Sequence, residues 1–377
     1  MTSQRFGWKK TLVFSLIPLF VLCGVLEGLG RAFEFWVPPL STDYDLGFSA
    51  KSKVFVPSSD TPGLMIRNPE KTSCPPQEFA MPKPKGLFRV FVVGGSSVNH
   101  IWKDCAPMAE RLTEQSQGKP RFEAINCGLP AYGSHRLAMI VRELTEYDPD
   151  LIIYHESNNE FEEVEQFQLV NLRAIPLQRL LYKSAFCRVI RDRIALAQVA
   201  RMQRALDTDK VDFWPAQNYQ FSPQEVADRM VAFRNNLMDI IRTCQSARVP
   251  LILDTVPSDL RHPDLPNQGL EQRLDEIYRS EDFVHGAIVA RELLSASYRH
   301  QASDVENGIV RTLAFEQNMP LADVEAAVVA AEPHNVPGET LFEDRCHLNA
   351  QGNQIFVRVL EEAIARVVKE STSARQP

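Results

Sequence analysis

Three absences narrow what this chain of 377 residues can be. Positive charge is not in excess: 41 Lys and Arg face 48 Asp and Glu, and the net charge of −7 argues against a nucleic-acid-binding protein. There is no Cys-x-x-Cys motif, so a thioredoxin-like site or a zinc site of that type has no support. There is also no repeat of fixed period. The composition is that of an ordinary globular protein, and the chain is long enough for one large domain or two smaller ones.

One long apolar run stands near the N-terminus. Residues 11–30 carry a single charge, on Glu27, and are about as long as the ~20-residue helix that crosses a bilayer. Three basic residues precede the run, so the positive-inside rule places residues 1–10 in the cytoplasm and the rest of the chain outside. We therefore interpret 11–30 as the transmembrane signal anchor of a single-pass protein. A cleaved signal peptide and a buried soluble helix are the alternatives.

The cysteines are compatible with that topology. Six of the seven lie outside the apolar run, an even number in a compartment that can oxidise thiols. Cys127 and Cys244 have apolar neighbours in the sequence, which indicates buried thiols. Among the others, Cys74 and Cys105 are predicted to form a disulfide.

The character of the chain changes near residue 86. Residues 31–85 have a proline every few positions, which disfavours helices and central strands, and they are predicted to be a membrane-proximal linker. From 86 to 370, short apolar runs alternate with helical patterns, which is typical of an α/β protein whose parallel sheet is covered on both faces. Residues 371–377 are predicted to be a disordered tail. Five apolar runs are predicted as strands: 88–93, 121–126, 151–154, 250–255 and 320–324.

Polar residues follow these strands, at the edge where parallel sheets usually carry their chemistry. Four segments are notable: GGSS at 94–97, NCGLPAYG at 126–133, SNNEF at 157–161 and DRCHLNAQGN at 344–353. Acyl transfer by a serine needs a hydroxyl, a base, a carboxylate that orients the base, and donors for the oxyanion. All four kinds of group occur in these segments.

The four blocks, in this order, resemble the signature of the SGNH or GDSL hydrolases. The resemblance covers about residues 86–370 and implies a three-layer α/β/α sandwich of flavodoxin-like type, with about five parallel strands. It implies that Ser96 is the nucleophile and that Asp344 and His347 complete a catalytic triad. It further implies an oxyanion hole formed by the amides of Ser96 and Gly128 and by the side chain of Asn159.

Two positions depart from this pattern. Gly95 stands where the family usually has aspartate, and Ser157 stands where it usually has glycine. A side chain at 157 is expected to crowd Asn159 or to require a different backbone turn. Ser96 is preferred to Ser97 as nucleophile because it directly follows the two glycines, at the apex of the turn.

Other polar segments support no competing site. HESNN, which begins at His155, lacks the second histidine of an HExxH zinc site, so no metal and no other cofactor is predicted. No Gly-x-Ser-x-Gly elbow surrounds Ser96, which argues against an ordinary α/β-hydrolase. The loop at 255–262 is expected near the active face, as a substrate contact or as a solvated loop. Residues 160–220 are predicted as a helical insertion or lid, whose basic stretch at 171–206 could be a solvated helix, a lid or a membrane-surface helix.

The sequence therefore predicts a membrane-anchored serine ester hydrolase in the bacterial cytoplasmic membrane, with its catalytic domain in the periplasm. Its expected partners are the membrane, through the N-terminal helix, and an O-acyl ester substrate such as an envelope glycan or lipid. No nucleic-acid partner is expected, and the sequence does not determine the oligomeric state. Two alternatives stay open: an O-acyltransferase acting on an extracytoplasmic polysaccharide, and a noncatalytic interaction protein on the same fold.

Overall fold

A computed structural model describes residues 8–37, 53–69, 71, 73–167, 180–181, 183–206, 221–265 and 267–373. The chain divides into a smaller unit, residues 1–52 and 173–215, and a larger unit, residues 53–172 and 216–377. Among the described residues, the strands are β1 (Phe55–Pro57), β2 (Leu64–Arg67), β3 (Glu78–Ala80), β4 (Leu87–Gly94), β5 (Arg121–Gly128), β6 (Leu151–His155), β7 (Leu251–Asp254) and β8 (Leu321–Ala322). The α-helices are α1 (Trp8–Trp36), α2 (Ser96–His100), α3 (Cys105–Gln115), α4 (Ser134–Leu144), α5 (Glu160–Phe167), α6 (Ala185–Leu206), α7 (Pro223–Ala247), α8 (Gln268–Arg279), α9 (Phe283–Ala296), α10 (Asp304–Glu316), α11 (Val324–Ala331) and α12 (Ala350–Ser373).

A five-stranded parallel sheet organises the larger unit. Its strands lie in the order β5-β4-β6-β7-β8, and every neighbouring pair is parallel. The first of these strands in the chain is therefore second in the sheet, which is the 2-1-3-4-5 order of flavodoxin-like folds. All five predicted strands are confirmed, with ends that differ by at most two residues from the predicted ones.

Helices cover both faces of this sheet. Successive side chains of a strand point to opposite faces, so Phe91 and Val93 pack in one buried cluster with helices α4, α7 and α10. Val90 and Val92 pack in a second cluster with helices α3, α11 and α12. The strands read as continuous apolar runs because both of their faces are buried. The predicted three-layer α/β/α architecture is confirmed.

The segment before β4 contains a second, antiparallel sheet. Strands β1, β2 and β3 pair in that order, and the buried rings of Phe55 and Phe79 pack against Phe91 of the main sheet. The sequence predicts residues 31–85 as a linker without regular structure, whereas the part from Lys53 onward belongs to the larger unit. Prolines do not prevent these strands, because they end them, as Pro57 does, or lie between them.

Helix α7 begins with a reciprocal cap. The Ser222 hydroxyl accepts a hydrogen bond from the Glu225 N–H at 3.3 Å, and the Glu225 carboxylate accepts one from the Ser222 N–H at 2.8 Å. Pro223 occupies the first helical position, where its missing N–H costs nothing. This reciprocal cap explains why the helix begins at Pro223.

In the smaller unit, the N-terminal apolar run lies in a helix. Helix α1 is longer than the predicted residues 11–30 and includes Pro18. Its stretch Leu16–Trp36, 21 residues with a mean hydropathy of 1.7, is long and apolar enough to cross a membrane. Length and composition alone support this interpretation, which a signal sequence would also satisfy.

Part of the predicted insertion pairs with α1 inside the smaller unit. The Arg188 guanidinium makes two 2.7 Å hydrogen bonds to the Glu34 carboxylate, and the Ser184 hydroxyl donates to Glu27 at 2.7 Å. The predicted basic helix is present as α6 over the described part of 171–206. Residues 168–179 and 207–220 of the predicted insertion lie outside the described residues.

The predicted disulfide is wrong. All seven cysteines lie in the described part of the chain, and none of them forms a disulfide. Cys105 opens α3 and is buried, with its thiol directed to the Ile101 carbonyl. Cys74 packs against the cluster on the other face of the sheet. The two thiols therefore belong to different layers, which residue spacing alone does not reveal.

Candidate functional site

The loops that carry the four sequence blocks meet at one edge of the parallel sheet. Gly94 at the end of β4 is in register with Gly128 at the end of β5 and with His155 at the end of β6. Parallel strands all present their carboxyl ends at the same edge, so the residues that follow these three positions converge. The loop that precedes α12 reaches the same place, because His347 contacts Ser96 there.

Ser96, His347 and Asp344 form one chain of hydrogen bonds. The Ser96 Oγ and the His347 Nε2 are 2.6 Å apart, and the His347 Nδ1 is 2.6 Å from the Asp344 Oδ2. The second carboxylate oxygen of Asp344 accepts the N–H groups of Cys346 and His347, at 2.9 and 2.8 Å. The short spacing between Asp344 and His347 thus lets one turn orient both side chains.

The environment of Asp344 favours its ionised form. Partial burial acts to raise the pKa of Asp344, but the hydrogen bonds from the His347 ring and from two backbone N–H groups lower that pKa below its usual value. An ionised Asp344 holds the proton of His347 on Nδ1, which leaves Nε2 free to accept a proton from Ser96.

His100 packs against the imidazole ring of His347. Its ring stacks on His347 with 4.5 Å between centroids, and its Nδ1 is 3.5 Å from Glu343. Burial and the neighbouring His347 lower the pKa of His100. A neutral His100 is therefore favoured, and its ring supports the His347 plane without adding a competing positive charge.

The neighbouring serine has a different partner. The Ser97 hydroxyl accepts a hydrogen bond from the Asn158 side chain at 3.3 Å, and the Asn158 carbonyl oxygen accepts the Ala302 N–H at 2.8 Å. Ser97 therefore helps to join three loops, while Ser96 is the serine that His347 reaches.

The predicted oxyanion residues lie close to Ser96. The Gly128 N–H donates to the Asn126 side chain at 3.0 Å, and the Asn159 side-chain amide donates to the Tyr132 carbonyl at 3.3 Å. A Cβ placed on Gly128 would lie 2.1 Å from the Asn99 backbone nitrogen, so only glycine fits beside helix α2. An oxyanion beside Ser96 would compete with the Asn126 side chain for the Gly128 N–H and with the Tyr132 carbonyl for the Asn159 amide.

Glu156 is a site residue that sequence reasoning missed. Its side chain is 1% exposed, and its two carboxyl oxygens accept the N–H groups of Gly95 and Asn159, at 2.9 and 2.8 Å. Burial raises the pKa of Glu156 to about 8. The only signal in the sequence was a carboxylic acid directly before the SNNEF block.

The departure at Ser157 is accommodated. Ser157 does not adopt the left-handed conformation that would require glycine. Its hydroxyl is buried and has no hydrogen-bond partner. The expected change of backbone turn is therefore not required, and the Asn159 backbone N–H keeps its partner at Glu156.

His155 is part of the packed interior beside the site. Its Nδ1 is 2.8 Å from the Asp254 carboxylate, and its ring lies 4.1 Å from the Phe356 ring centroid. In the described part of the chain, the possible metal-ligand group is Asp344, Cys346 and His347, whose ligand atoms lie within 4.8 Å of one another. Two of these three side chains are already hydrogen-bonded to each other in the chain that reaches Ser96.

The loop at 255–262 supports the loop that carries His347. The Asp259 N–H donates to the Arg345 carbonyl at 3.1 Å, and the Gln301 side chain donates to the Asp259 carbonyl at 3.2 Å. Burial raises the pKa of Asp259 to about 6, and the His262 ring lies 3.4 Å from its carboxylate. This loop therefore lies at the predicted face and stabilises the position of residues 344–347.

No protein-family model matches the chain, and no curated protein matches it. Among solved structures, a GDSL-like lipase from Bacteroides thetaiotaomicron is 12% identical, with 79% of this chain and 95% of that chain covered, at a TM-score of 0.41. An acetyl xylan esterase is 13% identical, with 74% of this chain and 100% of that chain covered, at a TM-score of 0.42. A lipase/acylhydrolase from Enterococcus faecalis is 13% identical, with 74% and 95% covered, at a TM-score of 0.38. Identities and TM-scores are low, so what this chain does rests on its own side chains.

Proposed function

We propose that this protein is a serine ester hydrolase of the SGNH type, with Ser96 as nucleophile, His347 as general base and Asp344 as the carboxylate that orients it. The observation that carries the proposal is the continuous hydrogen-bonded chain from Ser96 through His347 to Asp344, at 2.6 Å for each step. Side chains from two distant parts of the sequence rarely align in this way without a chemical role.

The reaction follows from this alignment. As the Ser96 oxygen attacks the ester carbonyl carbon, its proton passes to His347 Nε2, and Asp344 stabilises the imidazolium that forms. His347 then gives this proton to the departing alcohol, which leaves an acyl group on Ser96. In the second half, His347 takes a proton from water as the water oxygen attacks the acyl carbon. The bond between the acyl carbon and Ser96 Oγ then breaks, the carboxylic acid leaves, and His347 returns the proton to Ser96.

The oxyanion is proposed to be bound by the Ser96 and Gly128 amides and by the Asn159 side chain. Ser96 is the first residue of α2, and N–H groups in the first turn of a helix have no partner within that helix. The Asn159 amide nitrogen would lie 2.5 Å from a Cβ placed on Gly95, so it is adjacent to the residue that precedes Ser96. Each such donor contributes roughly 2.7–4 kcal/mol to stabilisation of the transition state.

The substrate is proposed to be an O-acyl ester on an envelope glycan or lipid, and the chain is proposed to be held in the bacterial cytoplasmic membrane by α1. The apolar stretch Leu16–Trp36 supports the anchor. Alkaline extraction of membranes and Edman sequencing of the mature chain test this part. Retention in the membrane with an intact N-terminus is expected; a soluble chain that lacks α1 would contradict the anchor while leaving the chemistry open.

The chemistry is tested by labelling the full chain, solubilised in detergent, with a fluorophosphonate. This probe requires an activated serine but little knowledge of the substrate. We expect labelling of the wild type and of Ser97→Ala, and its loss in Ser96→Ala and His347→Ala. Failure of the folded wild-type chain to react would overturn the proposal.

A further inference from the structure

The space beside Gly95 is already filled by another residue's carboxyl group. Gly95 has a φ of −84°, outside the left-handed region that favours glycine. A Cβ on Gly95 would nevertheless lie 2.2 Å from the Glu156 Oε2 and 2.5 Å from the Asn159 Nδ2. A side chain at position 95 therefore requires both the Glu156 carboxyl and the Asn159 amide to move.

The carboxyl in that space joins the two turns of the proposed active site. One oxygen accepts the Gly95 N–H, directly before the nucleophile, and the other accepts the Asn159 N–H, in the residue proposed to bind the oxyanion. Gly95 and Asn159 follow different strands, β4 and β6. The single Glu156 carboxyl therefore fixes the distance between the two turns.

We propose that Glu156 is a positioning residue that takes over, from the loop after β6, the place of the aspartate that the SGNH pattern has at position 95. The inference rests on the proposed function, since it assigns Glu156 to the same site. In this chain the carboxyl has moved from the nucleophile turn to the facing turn, and position 95 has become glycine to make room for it. The missing carboxyl at position 95 and the carboxyl of Glu156 thus have a single explanation.

The protonation of Glu156 supports this role. Burial raises its pKa to about 8 and the neighbouring Glu160 carboxyl acts in the same direction, which outweighs the opposite effect of the backbone N–H groups that it accepts. At neutral pH the neutral acid therefore predominates, and no full negative charge lies one residue away from the Ser96 amide. An ionised Glu156 would oppose the oxyanion that this amide is proposed to bind.

A reciprocal exchange of the carboxyl tests the inference. In the full chain, Glu156→Ala removes the shared acceptor and is expected to slow fluorophosphonate labelling of the folded protein roughly 10–100-fold, the scale of a misplaced reacting group. Gly95→Asp alone introduces a second carboxyl into occupied space and is expected to be at least as damaging. The double variant Gly95→Asp/Glu156→Ala is expected to label about tenfold faster than Gly95→Asp, because it removes the closer of the two groups that a Cβ at position 95 would meet.

Gly95→Asp/Glu143→Ala is the matched control. Glu143 also accepts two backbone N–H groups, but these are the N–H groups of Val54 and Phe55, at the start of β1. Its removal should not rescue Gly95→Asp. The melting temperatures of the same variants should show the same rescue, which gives a readout that does not depend on catalysis.

Losses that simply multiply in the double variant, in both labelling and melting temperature, would overturn the exchange. If the aspartate variants fail to fold, Glu156→Gln tests the positioning role. It keeps the length of the side chain but offers one acceptor oxygen instead of two, so slower labelling of the folded protein is expected, and a wild-type labelling rate would refute the positioning role. A wild type that does not label but shows the rescue in melting temperature would refute the proposed function and leave the shared carboxyl intact.

Discussion

Ser96 and His347 are 251 positions apart in the chain, and their side chains meet at 2.6 Å. Each stands next to an element of the sandwich: Ser96 opens α2 after β4, and His347 lies shortly before α12. Helix α12 is held against the sheet by buried side chains such as Phe356 and Leu360. The alignment of the site therefore depends on the packing of the last helix as much as on the local turns.

Asp344→Asn should leave the loop in place but remove the charge that holds the His347 proton on Nδ1. We expect labelling and ester hydrolysis to fall roughly 10²–10⁴-fold, because an amide can favour the wrong tautomer of the imidazole. Steady-state kinetics on a simple aryl acetate measures the effect. The adjacent Glu343→Gln is the control and should stay close to the wild type; equal losses in the two variants would argue against a triad.

Asn159→Ala should slow the reaction by removing one proposed oxyanion donor. The expected loss is roughly 10²–10³-fold in kcat. Asn158→Ala removes the neighbouring amide, which bonds Ser97 and Ala302 instead, and should cost less than about tenfold. A larger loss for Asn158→Ala than for Asn159→Ala would exchange their assigned roles.

Arg229→Met should destabilise the larger unit strongly. Its buried guanidinium bonds to Glu160 and lies 3.5 Å from the Glu163 carboxylate, so its loss removes the cationic partner of the buried Glu160. We expect about 3–5 kcal/mol less stability in urea unfolding at neutral pH. Burial raises the pKa of Glu160, so the loss should shrink as the pH falls and this acid becomes neutral.

Arg234→Met on the same helix is the matched comparison. Its partner is Glu316, and both side chains are about 40% exposed. Exposed pairs contribute about 0–1 kcal/mol. Similar losses for Arg234→Met and Arg229→Met would contradict the importance of the buried pair.

Glu156 should make the stability of the fold depend on pH. Its pKa is about 8 in the folded chain and 4.5 when exposed, so the folded state holds the extra proton between these values. The stability contributed by this proton is complete below pH ~4.5 and is lost as the pH rises towards ~8. Melting temperatures from pH 5 to 8 should therefore fall more steeply for the wild type than for Glu156→Gln. The exposed Glu110→Gln should retain the wild-type slope, and parallel curves for all three proteins would contradict the raised pKa.

Much of the sandwich could be predicted from the sequence because its strands are buried on both faces. Such strands appear as uninterrupted apolar runs, and runs such as Phe88–Val93 and Leu151–Tyr154 have no other good explanation. Strands β1 to β3 were not predictable in this way, because they are short, rich in neighbouring prolines and buried only in part. The prediction of a Cys74–Cys105 disulfide was wrong because residue spacing does not show which layer of the sandwich a side chain enters.

By itself the sequence determined the kinds of group at the sheet edge: a serine after two glycines, an asparagine, and an aspartate three residues before a histidine. These are local patterns, which can be recognised in the sequence without knowledge of the fold. Only the tertiary structure decided which serine His347 reaches, and that the Glu156 carboxyl fills the space beside Gly95. Both depend on distances between loops that follow different strands, and such distances are set by the packing of the whole sheet and its helices.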